Sequence, residues 1–101
     1  MVIKVNTPLK TLGGEVMQDN DGKGNVMDAT LKTVIVNALL SPVERESGVE
    51  KMKKYELATR IYKSEDEVEL SAEEITLIKA RVGELFAPLV VGQVYNALEG
   101  K

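Results

Sequence analysis

Carboxylates and cations are the chemistry this chain has to offer. It carries sixteen Asp and Glu and thirteen Lys and Arg, with neither His nor Cys. That removes thiolate nucleophiles, zinc sites of the Cys/His kind and imidazole acid-base catalysis. The acids do not gather as a working pair. Glu73 and Glu74 are adjacent on a predicted helix and point to different sides of it, which disfavours a shared proton. Asp19, Asp21 and Gly24 fit positions one, three and six of a calcium-binding loop. Lys23 then falls at position five and Thr30 at position twelve, where a bidentate Glu is required. The stretch therefore reads as a solvated turn. Gly22-Lys23-Gly24 lacks the spacing, and the Ser or Thr after Lys, of a phosphate loop. The expectation is no enzyme, no cofactor and no metal.

The basic residues raise a second chemistry. Lys51, Lys53, Lys54, Arg60 and Lys63 share one predicted helix and are candidates for phosphate contact. Glu50 and Glu56 interrupt them, and the acidic run Glu65-Asp66-Glu67-Val68-Glu69 follows. A net charge of -3 and a pI near 5.0 argue against broad attraction to nucleic acid or anionic lipid. A solvated face is the simpler reading. A nucleic-acid-associated regulator is the alternative.

A single domain of 101 residues must hold whatever these groups do. Its clearest element starts at Ser71. Ser71 and Glu74 form a capping-box pattern, and Leu70 and Ile75 stand at staple spacing. Ile75, Ile78, Val82, Leu85 and Phe86 then line one face. Leu77 falls beside that face, either widening it or exposed. Pro88 predicts a break and a new helix beginning at its first turn. On that last helix Val90, Val91, Val94, Tyr95 and Leu98 form an apolar stripe, which is either core or a protein interface. Gly92 in its middle suggests close helix packing, or else a hinge or docking surface. A recognition helix for DNA would carry cations, and this one has none between Leu89 and Glu99.

Upstream, Val2, Ile3 and Val5 read as a short strand closed by Pro8. Leu12-Gly13-Gly14 is a turn. The segments around Val16 and Val26 read as a hairpin about Asp21-Gly22. Asp28 is the expected cap of a helix from Ala29 to about Leu40, with Leu31, Val34, Ile35, Ala38 and Leu39 inward. Its β-branched residues weaken its intrinsic propensity, so it should be central and held by packing. A polar loop from Pro42 to Gly48 leads to a helix from about Val49 to Lys63. Met52, Tyr55, Ala58 or Thr59, and Ile61 with Tyr62 supply its expected buried side, with Leu57 further round. Val68-Glu69-Leu70 alternates and is a candidate strand beside the hairpin. The fold class is α+β, mostly helical: an N-terminal β-hairpin packed against about four helices.

No apolar run approaches the ~18 residues of a membrane span. The N-terminus lacks a signal-peptide layout, and a small chain without Cys is most simply cytoplasmic.

The order of segments carries a resemblance. The segments are Asn6-Thr7-Pro8, Gly13-Gly14-Glu15-Val16 with Asp21-Gly22, and Val36-Asn37-Ala38-Leu39-Leu40. Lys54-Tyr55-Glu56-Leu57-Ala58 with Ile61-Tyr62-Lys63 follows, then Glu69 to Ile75 and Val90 to Tyr95. Together they resemble a group of small proteins of tailed bacteriophages and prophages, mostly without an assigned function. The likeness spans nearly the whole chain, and its motifs are structural rather than catalytic. It implies a host bacterial cytoplasm and a non-catalytic protein-interaction module. Such a module would be a virion or tail assembly accessory, or a modulator of a host protein. The partner would be a phage or host protein, with a homodimer through the apolar last helix a further expectation.

Overall fold

The computed structural model describes residues 1–20 and 26–100. Four short strands and four helices follow in the order β1 (Val2–Lys4), β2 (Gln18–Asn20), β3 (Val26–Asp28), α1 (Leu31–Leu40), α2 (Gly48–Lys63), β4 (Glu67–Glu69), α3 (Ala72–Leu85) and α4 (Pro88–Leu98). The α+β, mostly helical class is as expected. The tip of the hairpin, and with it most of the acidic loop and Gly22-Lys23-Gly24, lies outside the described residues.

The strands form two antiparallel pairs, β2 with β3 and β1 with β4. β4 was expected beside the hairpin and instead completes β1. Ile3 stands opposite Val68 in that pair, and both are buried. Their flanking neighbours point to water, so the pair closes one apolar side against the helices. The first strand ends before Pro8, at Lys4, where the chain turns and the Thr7 amide donates to the Lys4 carbonyl at 3.3 Å; Pro8 belongs to a separate bridge. It bridges to Thr30, and the amide of Leu9 donates to the Ala29 carbonyl at 2.9 Å. The Thr11–Gly14 turn forms as expected, with Gly14 at a φ of 90°. Met17, half-buried, and Ala29, buried, root the hairpin in the core, while β3 is exposed throughout.

α1 begins two residues later than expected. Asp28 belongs to β3, where its carboxylate accepts from the Gln18 side chain at 2.9 Å. Thr30 is the cap instead, in a reciprocal box with Thr33. Asp28 is lost as a cap because the extended pairing continues past it through Ala29, whose amide donates to the Met17 carbonyl at 2.8 Å, so the first helical turn starts only at Leu31. The five inward residues are all buried, and α1 packs against both α2 and α3. α3 starts at the Ser71–Glu74 box, with bonds of 2.8 and 3.2 Å. Ile78 and Val82 are fully buried; Leu77, Ile75 and Phe86 pack against the core from its edge. Leu77 therefore widens the stripe, and Leu85, expected inside, is 44% exposed. It sits in the last turn of α3, before the Pro88 break.

α4 starts with Pro88 in its first turn, as expected. Gly92 has no close neighbour: a Cβ there would meet nothing within 4 Å. The close approach is at Gly83 on α3, where a Cβ would stand 2.5 Å from the Tyr95 hydroxyl. That hydroxyl donates to the Lys79 carbonyl at 2.7 Å, and the Lys79 ammonium lies 5.5 Å from the Tyr95 ring centre. Arg81 is the surprise of this region. It is only 5% exposed, pairs with Glu84, and leaves its Nε without a partner.

Gly83→Ala sets a gain in helix propensity of about 1 kcal/mol against displacement of Tyr95. Net destabilisation is expected in the native background. In a Tyr95→Phe background, where the clashing oxygen is gone, the same change should stabilise. Thermal melts of the four variants in a double-mutant cycle measure both signs.

Candidate functional site

α2 carries two neighbouring apolar stripes, and the structure buries only part of the expected side. Leu57, Ala58 and Ile61 are buried together with Lys54. Met52, Tyr55 and Tyr62 are 53%, 56% and 66% exposed. Ala58 and Ile61 were rightly placed inside, Thr59 is half-buried, and Leu57, set further round, is core. The physical reason lies in side-chain type. The aliphatic set has no polar atom to satisfy, whereas each tyrosine keeps its hydroxyl in water. A helix with apolar groups on both faces buries the set that completes the neighbouring core.

That rotation disperses the five candidate cations. Lys54 is buried and ion-paired with Glu46, with side chains 10% and 5% exposed. Glu46 reaches it from the 41–47 loop, whose Arg45 takes the left-handed backbone with a φ of 61°. Arg60 turns to α3, where its guanidinium donates to Glu74 at 2.7 Å and to the Glu69 carbonyl at 3.4 Å. Lys51, Lys53 and Lys63 remain exposed, and none of the three has an ion pair among the described residues. The five therefore form no continuous basic surface.

The α4 candidates are drawn the other way. Val94 and Leu98 are core, and Val90 and Val91 pack against it from the edge. Tyr95 is spent on the α3 contact described above. What α4 leaves outside is a shallow apolar groove of about 400 Å³, lined by Pro88, Leu89, Gly92, Gln93 and Asn96 with Leu12. Gln93 clasps the backbone of Lys10 twice, at 2.7 and 2.8 Å, and so holds the Leu12 turn beside the helix. Leu12 itself is 95% exposed.

A larger cleft of about 500 Å³ separates α2 from α3. Lys53, Glu56 and Arg60 stand on one wall, Ser71, Glu73 and Glu74 on the other, with Leu57 and Leu77 between them. Burial pushes the Glu74 carboxyl up. The Ser71 amide and the Arg60 guanidinium outweigh it, so the group is held below its ordinary value. Glu74 is thus committed as an anion to a cap and an ion pair. Among the described residues no group of three Asp, Glu, His or Cys side chains could hold a metal ion. No helix among them is long and apolar enough to cross a membrane.

An outward stripe on α2 was not expected. Met52, Tyr55, Thr59 and Tyr62 recur at steps of three, four and three, the seam spacing of paired helices. That spacing was visible in the sequence but was assigned to the core.

No protein family, curated protein or solved structure matches this chain.

Glu46→Gln should cost about 3 kcal/mol, because it strands a buried ammonium. Lys54→Met with Glu46→Leu should recover most of that loss, and chemical denaturation distinguishes the two. Glu74 contributes stability that is present above the unfolded carboxylate value and lost as pH falls through the lower folded one. Glu74→Gln should therefore lower the melting temperature at neutral pH and flatten its decline from about pH 5 to about pH 3.

Proposed function

We propose that this chain is a non-catalytic protein-interaction module whose association surface is the outward face of α2. The observation that carries this reading is the exposed seam of Met52, Tyr55 and Tyr62, with half-buried Thr59 between them, on a helix already packed by its other face. Contiguous exposed apolar surface rimmed by charge marks association sites on small domains. Tyrosines are favoured there, having an apolar body and a polar tip. Lys51, Lys53 and Lys63 supply the charged rim. The resemblance to small proteins of tailed bacteriophages sets the context, in which such a module serves virion or tail assembly or engages a host protein. With Lys54 buried against Glu46 and Arg60 paired with Glu74 at the surface, a nucleic-acid role rests mainly on three lysines in an acidic chain.

The test is affinity capture by the whole chain from bacterial lysate, with and without phage infection and with nuclease. A Tyr55→Ser/Tyr62→Ser variant runs alongside. A stoichiometric protein that survives nuclease and is lost from the variant supports the α2 surface. Identical captures by both chains would overturn it. Partners that vanish with nuclease would move the function to Lys51, Lys53 and Lys63.

A further inference from the structure

The segment between α1 and α2 is held at its two ends and at one point between them. Ser41 closes α1, its hydroxyl donating to the Asn37 carbonyl at 2.7 Å. Ser47 opens α2, its hydroxyl accepting from the Glu50 amide at 3.1 Å. From 42 to 46 the backbone makes no hydrogen bond to another segment, and the one side-chain bond is that of Lys54 to Glu46. Val43 is half-buried, while Pro42, Glu44 and Arg45 are exposed. The connection from β1 to β2 is tied quite differently, through its backbone. There the Leu9 amide donates to the Ala29 carbonyl, and the Thr7 carbonyl accepts from the Leu31 amide.

We infer that the 42–46 segment is a latch, locked by Glu46 on Lys54, which swings open about Ser41 and Ser47 while the four helices stay folded. The lock is single and nearly dry, with side chains 10% and 5% exposed. Neither charge can be left behind unpaired, so the pair breaks as a unit and both groups rehydrate together. The closed backbone is also strained. Arg45 holds a φ of 61°, a region that a side chain with a Cβ disfavours. Opening relieves that strain, so the lock works against it.

The space beneath the segment favours movement of the same kind. A hollow of about 210 Å³ lies there, with Leu39, Leu40 and Tyr55 on its helix side and Pro42 and Glu46 on its loop side. The segment spans this hollow rather than filling it, so swinging out gives up little packed surface. Few buried apolar contacts and an unbonded backbone are the marks of a region that opens below the free energy of global unfolding. Once open, the latch leaves the Lys54 ammonium unpaired beside Tyr55. The association surface of α2 then gains a cation, which a partner carboxylate can meet as Glu46 does in the closed form. That consequence rests on the reading of α2 as the association surface; the latch itself does not.

The test is pulse acetylation of the whole chain, read lysine by lysine by mass spectrometry, in urea below its unfolding transition. Lys53, exposed and next to Lys54 on α2, is the internal reference. Wild-type Lys54 should react roughly a hundredfold more slowly than Lys53, the protection set by one buried pair. Its rate should stay nearly constant with urea, because a local opening exposes little surface. Glu46→Gln should bring Lys54 to within about tenfold of Lys53, with the circular dichroism of a folded helical chain. A wild-type Lys54 rate that climbs with the urea slope of equilibrium unfolding would overturn the latch, since Lys54 is then reached only through the unfolded chain. So would a Lys54 that stays about a hundredfold protected in folded Glu46→Gln. The wild-type measurement decides by itself should Glu46→Gln fail to fold. Neither measurement involves a captured partner, so failure of the latch and failure of the α2 surface are told apart.

Discussion

Everything in this fold depends on the covering of α1. It is ten residues long, has no acid in its first turn and no base in its last, and carries a run of β-branched side chains. A helix of that length and composition does not persist alone in water. It holds because Leu31, Val34, Ile35, Ala38 and Leu39 are taken out of water by α2, α3 and the extended segment around Val5 and Leu9. The amide of Lys32 donates to the Val5 carbonyl at 2.8 Å, so even the start of α1 is tied to the N-terminal segment. The rest of the chain is arranged as cover for this helix. α2 and α3 are capped by their own side chains and can present whichever face the core requires.

Charge is used in this molecule mainly to fasten those covers. Glu46 pins the 41–47 loop to α2 through Lys54. Arg60 joins α2 to the cap of α3 through Glu74. Lys79 meets Glu99 at 3.6 Å where α3 and α4 run together. Each of these pairs joins two segments, and each removes a group from the surface chemistry available to a ligand. The charge left on the outside of α2 is mixed in sign along its length, with Glu50, Lys51 and Lys53 early, Glu56 in the middle and Lys63 at the end. Surface charge of that kind steers and orients association more than it strengthens it.

The chain's local signals were read well where one residue decides the outcome. Ser71 with Glu74, Pro88, and the Gly13-Gly14 turn each act within four or five residues, and each stands where the sequence puts it. Asp28 failed as a cap because a competing interaction, pairing of β3 with β2, claimed its backbone. The same lesson applies to Gly92 and Gly83. Both are helix glycines, and only the position of Tyr95 on the neighbouring helix makes Gly83 the one that cannot carry a side chain.

The sequence by itself determined the fold class, the four helices, the start signals of α3 and α4, and the exclusion of thiol and imidazole chemistry. These follow from residue types and from periodicity, which are properties of the chain alone. The tertiary structure decided which face of α2 is buried. Leu57, Ala58 and Ile61 compete with Met52, Tyr55 and Tyr62 at equally good helical spacing, so periodicity cannot choose between them. The choice was made by α1, whose packed surface accepts the compact aliphatic set and leaves the tyrosines outside. It likewise decided that Lys54 and Arg60 serve the fold: Arg60 reaches Glu74 only once α2 and α3 have met, and Lys54 reaches Glu46 only where the preceding loop folds back on α2.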